Sequence, residues 1–243
     1  MLQALTTDPQ TGDVFMFGGE HASSLLDELW VFNFKTESWL YLDPRPDPDH
    51  GMPVGRRGHA LAALNGKLYL FGGQSQDADL NDLWAYDIHT NAWEALTAAP
   101  APPARAGHSI VVIGDDIVVF GGFIFSLGAA SSELWAFNTK SKSWTLLSAG
   151  AGGLTPEPRY GHGAVALGNN MVVYGGESES ATAISTVDLY DRGTQEWTSL
   201  QFAGASRAAT DSAVGPFQSH IVSYGGLDNQ GNALSDMVMI PIF

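Results

Sequence analysis

The sequence predicts an all-β repeat fold built from about five four-stranded antiparallel sheets, and three observations carry that reading. A glycine doublet recurs five times at the end of a short apolar run: Phe17-Gly18-Gly19, Phe71-Gly72-Gly73, Phe120-Gly121-Gly122, Tyr174-Gly175-Gly176 and Tyr224-Gly225-Gly226. From Gly18 to Gly72, Gly121, Gly175 and Gly225 the intervals are 54, 49, 54 and 50 residues, and self-similarity at a fixed period marks a repeat architecture. Around each doublet, short apolar runs alternate with period two between turn residues, as antiparallel strands do.

The second copy is the cleanest. Arg56-Arg57-Gly58-His59 opens it, and Ala60 to Leu64 forms a first strand. Asn65-Gly66 is a two-residue hairpin signal before Lys67 to Phe71. A polar loop leads to the third strand, Asp82 to Asp87, and a turn at His89-Thr90-Asn91 leads to a fourth around Trp93. The third copy repeats the order with Arg105-Ala106-Gly107-His108, Glu133 to Asn138 and Trp144. The fourth has Arg159-Tyr160-Gly161-His162, Val187 to Asp191 and Trp197. The first has a strand around Leu2 to Thr6, then Val14 to Gly19, Glu28 to Asn33 and Trp39, with no opening Arg-x-Gly-His. In the fifth, Arg207-Ala208-Ala209-Thr210 stands for that opening, and the chain stops after a third strand near Asp236 to Ile240.

Glycine at the strand ends permits backbone conformations closed to other residues and close approach of a neighbouring chain. Trp39, Trp93, Trp144 and Trp197 each supply a large wedge between adjacent sheets. Four-stranded units at this spacing fit the radial blades of a propeller.

These residues resemble the kelch motif: Gly-Gly after an apolar strand, Tyr or Phe with Asp or Asn further on, then Trp. The Arg-x-Gly-His opening resembles the kelch subgroup whose repeats start that way. The resemblance covers nearly the whole chain and implies a kelch β-propeller, with first and last blades incomplete. It divides one domain, 1–243, into blades at about 1–42, 56–97, 105–148, 159–201 and 207–243. With no spare strand to close a ring, a piece of a longer chain is favoured over a five-bladed ring with a short last blade.

Composition excludes several functions. The formal net charge is −15, from 26 acids against 11 Lys and Arg, so the basic footprint of nucleic-acid binding is missing. Insertion into a membrane is not expected, because no apolar run reaches the length of a span. The chain has no cysteine, which removes disulfides, thiolate metal sites and cysteine nucleophiles. It also removes the copper-radical oxidase chemistry of galactose oxidase, a kelch-like fold that needs a Tyr–Cys crosslink. The iron motif of the plant specifier proteins is absent, as are a nucleophile elbow, a P-loop and a His-Glu-x-x-His. No cofactor is expected. The absence of a signal peptide, cysteine and glycosylation sequon favours the cytoplasm.

Loops on a rigid scaffold concentrate binding residues. Here the loops between second and third strands share a face with the connectors between blades. Arg56, Arg105, Arg159 and Arg207 lie at that face. A ring of guanidinium groups would suit an acidic ligand, but Glu28, Asp82, Glu133 and Asp236, one at the start of each third strand, fit a repeated structural pairing better. Blade 4 has Thr186 at that position, which marks Arg159, with the extra Arg57, as the arginine available to a partner. His59, His108 and His162 read as core histidines hydrogen-bonded to backbone, not as metal ligands. Asp47, Asp49 and His50 sit in a proline-rich connector that reads as stiff and solvated.

One loop differs by composition. Phe123-Ile124-Phe125-Ser126-Leu127-Gly128 carries four large apolar residues where blade 2 has polar ones. Such a loop suits a partner contact or folds over a neighbouring blade. Leu25 and Leu26 of the blade 1 loop could join the same surface. The expected function is a non-catalytic module that binds another protein or peptide through this loop face. The expected contact residues are Phe123, Ile124, Phe125, Leu127, Arg159, Arg57, Leu25 and Leu26. A kelch-type sugar mutarotase or isomerase with a pocket at the channel mouth is one alternative. A structural subunit, completed by further domains or subunits, is another.

Overall fold

The structure is a computed structural model that describes residues 3–150, 155–200, 208–218 and 220–242. The described residues form strands and turns without a helix. Blade 1 has the sheet order β1 (Ala4–Thr7), β2 (Val14–Phe17), β5 (Leu29–Asn33), β6 (Ser38–Leu42), with a small hairpin, β3 (Glu20–His21) and β4 (Ser24–Leu25), inserted after the glycines. Blade 2 comprises β7 (Ala60–Leu64), β8 (Lys67–Gln74), β9 (Asp79–Asp87) and β10 (Ala92–Leu96) in sequence order. Blade 3 has β11 (Ser109–Ile113), β12 (Asp116–Phe120), β15 (Leu134–Asn138) and β16 (Ser143–Ser148), with a second inserted hairpin, β13 (Phe123–Ile124) and β14 (Ala129–Ala130). Blade 4 is β17 (Gly163–Leu167), β18 (Asn170–Tyr174), β19 (Val187–Asp191) and β20 (Glu196–Leu200). Blade 5 has three described strands, β21 (Ala213–Phe217), β22 (His220–Tyr224) and β23 (Met237–Pro241). Blade 1 thus has all four strands, and what it lacks is the Arg-x-Gly-His opening. Blade 5 ends at its third strand.

The chain forms two compact units, residues 1–106 with 137–144 and residues 107–136 with 145–243. In the first unit, one face of blade 1 (Ala4, Phe15, Phe17, Leu29) packs on one face of blade 2 (Leu61, Leu68, Leu70, Trp84, Tyr86, Trp93). Period-two alternation puts each set on one side of its sheet. In the second unit, Val118, Phe120, Leu134 and Ala136 pack on Met171, Val173, Tyr190 and Trp197. Val165, Val172, Tyr174 and Val187 pack on Ile221, Ile240 and Ile242.

The tryptophans behave as wedges with one exception. Trp93, Trp144 and Trp197 are 3%, 6% and 5% exposed, but Trp39 is 45% exposed. Each buried ring meets the aromatic that precedes the glycines of the preceding blade. The pairs are Phe17–Trp93 at 5.6 Å, Phe71–Trp144 at 5.1 Å and Phe120–Trp197 at 5.0 Å between centroids. Trp39 instead packs on Phe32 of its own blade, at 5.3 Å between centroids.

The glycine pairs are sutures between blades. In all five, both residues have positive φ, from +62° at Gly18 to +103° at Gly19, a region that penalises side chains. The second N–H donates to the carbonyl of the motif position in the next blade: Gly19 to Arg56 and Gly73 to Arg105 at 2.9 Å, Gly122 to Arg159 at 2.9 Å, Gly176 to Ala209 at 2.8 Å. A Cβ at Gly73 would come within 2.7 Å of the Arg57 carbonyl oxygen, so the spacing itself requires glycine.

Candidate functional site

The motif arginines are internal staples. Arg56 is fully buried. Its Nε donates to the Val54 carbonyl at 3.0 Å, and Nη1 donates to the Gly72 carbonyl at 3.0 Å. The guanidinium meets both carboxylate oxygens of Asp82 at 2.7 and 2.8 Å, the bidentate fork that arginine geometry favours. Asp82 also accepts from Trp84 Nε1 at 2.7 Å. Glu133 and Glu28 accept in the same way from Trp135 and Trp30, at 3.1 and 2.9 Å. Arg105 is equally buried and donates from Nε to the Pro103 carbonyl at 3.1 Å.

Arg159 is not available to a partner, contrary to the expectation from Thr186. Its side chain is 1% exposed and its Nη2 lies 2.8 Å from Asp188 Oδ2, itself 6% exposed. Nη2 also donates to the Thr186 hydroxyl at 3.0 Å, and that hydroxyl donates to Asp188 at 2.8 Å. The acid has moved two residues along the strand. Residues i and i+2 share a face, so the carboxylate still reaches the guanidinium. Burial pulls the Arg159 guanidinium below its ordinary value, and Asp188 opposes that shift.

The blade 5 opening also lies elsewhere than expected. Arg207 lies outside the described residues. The position that receives the Gly176 N–H is Ala209, which is fully buried like Arg56. Thr210 bridges Leu227 as Arg57 bridges Gln74 and Tyr160 bridges Glu177. The opening is therefore Ala209-Thr210-Asp211-Ser212, and Asp211 takes the positive-φ position (+54°) held by Gly58, Gly107 and Gly161 in the other blades.

The histidines are core groups. His59 Nε2 lies 3.0 Å from the Phe17 carbonyl oxygen and its ring packs edge-on against Phe17. His162 Nε2 lies 2.8 Å from Ser109 Oγ. Burial, aided by Arg56, lowers the His59 pKa to about 3. Burial also holds His162 well below its ordinary value. Among the described residues no cluster of acids and histidines has a metal-binding arrangement. The 43–57 connector is braced. Asp47 Oδ1 accepts from the Asp49 and His50 N–H groups at 2.9 Å, and Asp47 Oδ2 accepts from the Ala95 N–H at 3.2 Å.

The blades differ in one layer, formed by the residue after each glycine pair and the residue after each motif arginine. In the first unit this layer holds Glu20, Arg57 and Gln74. Arg57 Nη1 meets Glu20 Oε2 at 2.8 Å, and its Nε and Nη2 donate to Gln74 Oε1 at 3.2 and 2.9 Å. Gln74 Nε2 in turn donates to Asp79 at 3.1 Å. Arg57 remains 40% exposed. These groups line an open, polar groove of about 600 Å³ between the β3–β4 hairpin and the Ser75–Asp79 turn, with Leu25 on its wall. Leu26 is half-buried and its carbonyl accepts the Arg56 N–H at 3.1 Å, so its backbone is part of the suture.

In the second unit the same layer holds Phe123, Tyr160 and Glu177. Phe123 packs edge-on against Tyr160 at 5.6 Å and against Phe125 at 4.9 Å. Tyr160 donates its hydroxyl to Glu177 at 2.6 Å. Burial, with the Glu177 carboxylate, pushes the Tyr160 hydroxyl up to about 12. Partial desolvation and then Glu177 raise the Asp211 carboxyl. The apolar loop is a short hairpin closed by Leu127 N–H to the Ile124 carbonyl at 3.0 Å. Ile124 is buried inward, which removes it as a contact residue. Phe125 and Leu127 are exposed. The loop thus divides between the two expectations, with its base folded inward and its tip free.

Glu20, Gln74, Tyr160, Glu177 and Asp211 escaped the reading of sequence. The signal that finds them is the fixed separation of 16 residues from motif position to first glycine, as in Arg56–Gly72 and Arg159–Gly175. Counted back from Gly225, it falls on Ala209.

Comparison with known proteins agrees with this geometry. Residues 3–145 and 97–242 match the KLHDC2/KLHL20/DRC7 Kelch-repeats domain, and the chain belongs to the kelch-repeat family. Multiple epidermal growth factor-like domains protein 8 of Mus musculus is 34% identical over 193 residues, 76% of this chain and 7% of that protein. Kelch domain-containing protein 3 of Rattus norvegicus is 27% identical over 203 residues, 76% of this chain and 53% of that protein. Kelch domain-containing protein 10 of Rattus norvegicus is 31% identical over 180 residues, 67% of this chain and 43% of that protein. The chain therefore spans about half or less of the length of these relatives. The solved structure of YjhT superposes with a TM-score of 0.80 at 18% identity, covering 98% of this chain and 80% of that one, which supports the fold. The fold class is a kelch β-propeller with antiparallel blades.

Proposed function

We propose that this chain is a non-catalytic protein-interaction module, in which the layer after the glycine pairs receives a protein or peptide partner. One observation carries the reading: the copies agree in their sutures and staples and disagree in this layer. Arg57 supplies a half-exposed charge beside a polar groove in the first unit, and Phe125 with Leu127 supplies an apolar tip in the second. A charged group and an aromatic anchor, each held by a rigid scaffold, are the ingredients of a binding hot spot. The test is binding of a purified partner to Arg57→Glu and Phe125→Ser variants that retain the wild-type melting curve. A loss of at least about tenfold, equivalent to about 1.4 kcal/mol, is expected for one or both.

A catalytic reading, the sugar mutarotase or isomerase alternative, is favoured by the Tyr160–Glu177–Asp211 cluster. There the carboxyl of Asp211, an exposed residue, is raised by partial desolvation and by Glu177, which accepts a tyrosine hydroxyl. Two acids in unlike environments suit an acid and a base. Anomer exchange of sugar acids followed by NMR, with Asp211→Asn as control, tests it. Catalysis above the solution rate that the variant lacks would replace the first reading.

A further inference from the structure

Blades 1 and 2 bring two positions together that recur between blades 4 and 5. In the first pair of blades they are Glu20, next to the glycine pair, and Arg57, next to the motif arginine. In the second they are Glu177 and Thr210. The suture one residue back fixes this register: the Gly19 N–H donates to the Arg56 carbonyl at 2.9 Å, and the Gly176 N–H to the Ala209 carbonyl at 2.8 Å. Between blades 1 and 2 the chain supplies its own cation, and Arg57 Nη1 meets Glu20 Oε2 at 2.8 Å. Between blades 4 and 5 a threonine stands at the position of that arginine. Among the described residues no Lys or Arg pairs with Glu177.

Asp211 adds a second carboxylate. Its N–H donates to the Gly161 carbonyl at 2.8 Å. A Cβ at Gly161 would stand 2.9 Å from Asp211 Oδ1, so this carboxylate lies over the residue that follows Tyr160. Aromatic rings lead away from the acids. Tyr160 donates its hydroxyl to Glu177 at 2.6 Å, Phe123 meets the Tyr160 ring at 5.6 Å, and Phe125 meets Phe123 at 4.9 Å. Phe125 and Leu127 end the surface and are exposed.

We propose, resting on the interaction reading above, that this surface of the second unit selects a basic side chain of the protein partner. The ammonium or guanidinium pairs with Glu177 and Asp211, the stem lies along Tyr160 and Phe123, and a nearby apolar residue of the partner sits on Phe125 and Leu127. Arg57 shows within the same chain that a guanidinium fits beside an acid at this position. Long basic side chains cover apolar surface with their stems while the charged head meets a polar group, and aromatic faces attract cations. Complementary charge also fixes the choice of partner. The occupant is a protein segment, not a free amine, because the apolar tip carries the surface beyond the reach of one side chain.

The experiment pans a random-peptide phage library on the purified chain. Enriched peptides are expected to carry Lys or Arg close to a large apolar residue. The commonest is synthesised as selected and with an uncharged isostere, citrulline for Arg or acetyl-lysine for Lys, and both affinities are measured by calorimetry. Loss of the charge is expected to weaken binding to wild type by at least about tenfold. On Glu177→Gln the two peptides are expected to bind alike, because both changes remove one contact. Thr210→Arg rebuilds the Arg57 arrangement and is expected to abolish the same preference. If that variant lowers the melting temperature, the Glu177→Gln cycle decides alone. Peptides that depend on Phe125 but lack a basic residue, or that bind Glu177→Gln as tightly as wild type, would overturn this inference and leave the interaction reading standing. Recovery no greater than from a Phe125→Ser, Glu177→Gln double variant would overturn both.

Discussion

Arg159 and Asp188 form a closed ion pair at 2.8 Å in which the acid stands two residues beyond the position used by Asp82. Breaking a buried pair leaves an uncompensated charge and costs about 3–5 kcal/mol. Asp188→Asn is therefore expected to destabilise by that amount. Asp82→Asn is expected to cost less, because the Asp82 side chain is 35% exposed and water can replace it. Urea unfolding of the two variants measures the difference.

The tryptophans should separate in the same way. Trp93→Ala removes a buried wedge and is expected to cost about 3–5 kcal/mol. Trp39→Ala removes mainly its contact with Phe32, at about 1 kcal/mol. Thermal unfolding of the pair checks the contrast between a covered and an uncovered ring.

Stability should fall on mild acidification. Buried His59 has a pKa of about 3 against 6.5 in the unfolded chain, so the unfolded state binds more protons between those values. The His59 contribution is complete above pH about 6.5 and declines as pH falls towards 3, at a limiting slope of about 1.4 kcal/mol per pH unit. His162 shifts in the same direction. His59→Gln is expected to flatten the profile between pH 6 and 4.5, on the order of that one-proton slope. Denaturant titrations across that range read it.

Asp211 holds a positive φ where three other blades use glycine. Asp211→Gly relieves backbone strain of about 1 kcal/mol and gives back a similar amount in unfolded-state entropy. The melting temperature is expected to be unchanged within a few degrees. A loss of partner binding or turnover without a change in stability would then assign Asp211 to the site.

What the sequence disclosed follows from where its physics is local. The glycine pairs, the Trp strands and the period-two runs report backbone geometry and sheet faces, and the described strands form at those runs. Asp188 is not legible at the one position that Asp82 and Glu133 share, because alternate residues share a face and either can supply the acid. Ala209 is legible from the 16-residue spacing to Gly225 and not from the letter Arg207, which stands two residues earlier. Exposure of Phe125 against burial of Ile124 depends on how a six-residue hairpin sits on its blade, which composition alone does not encode.

The central claim is that function lies in the layer where the blades disagree, and photo-crosslinking tests it most directly. A photoreactive phenylalanine analogue is placed at Phe125 or, as control, at Phe34, which lies outside the layer and is 61% exposed. The captured protein is then purified and its affinity measured for wild type, Arg57→Glu and Phe125→Ser. Capture from position 125 and not from 34, with affinity at least about tenfold weaker for one of Arg57→Glu or Phe125→Ser, is the expected result. Equal capture from both positions, or unchanged affinity for both variants, would contradict it.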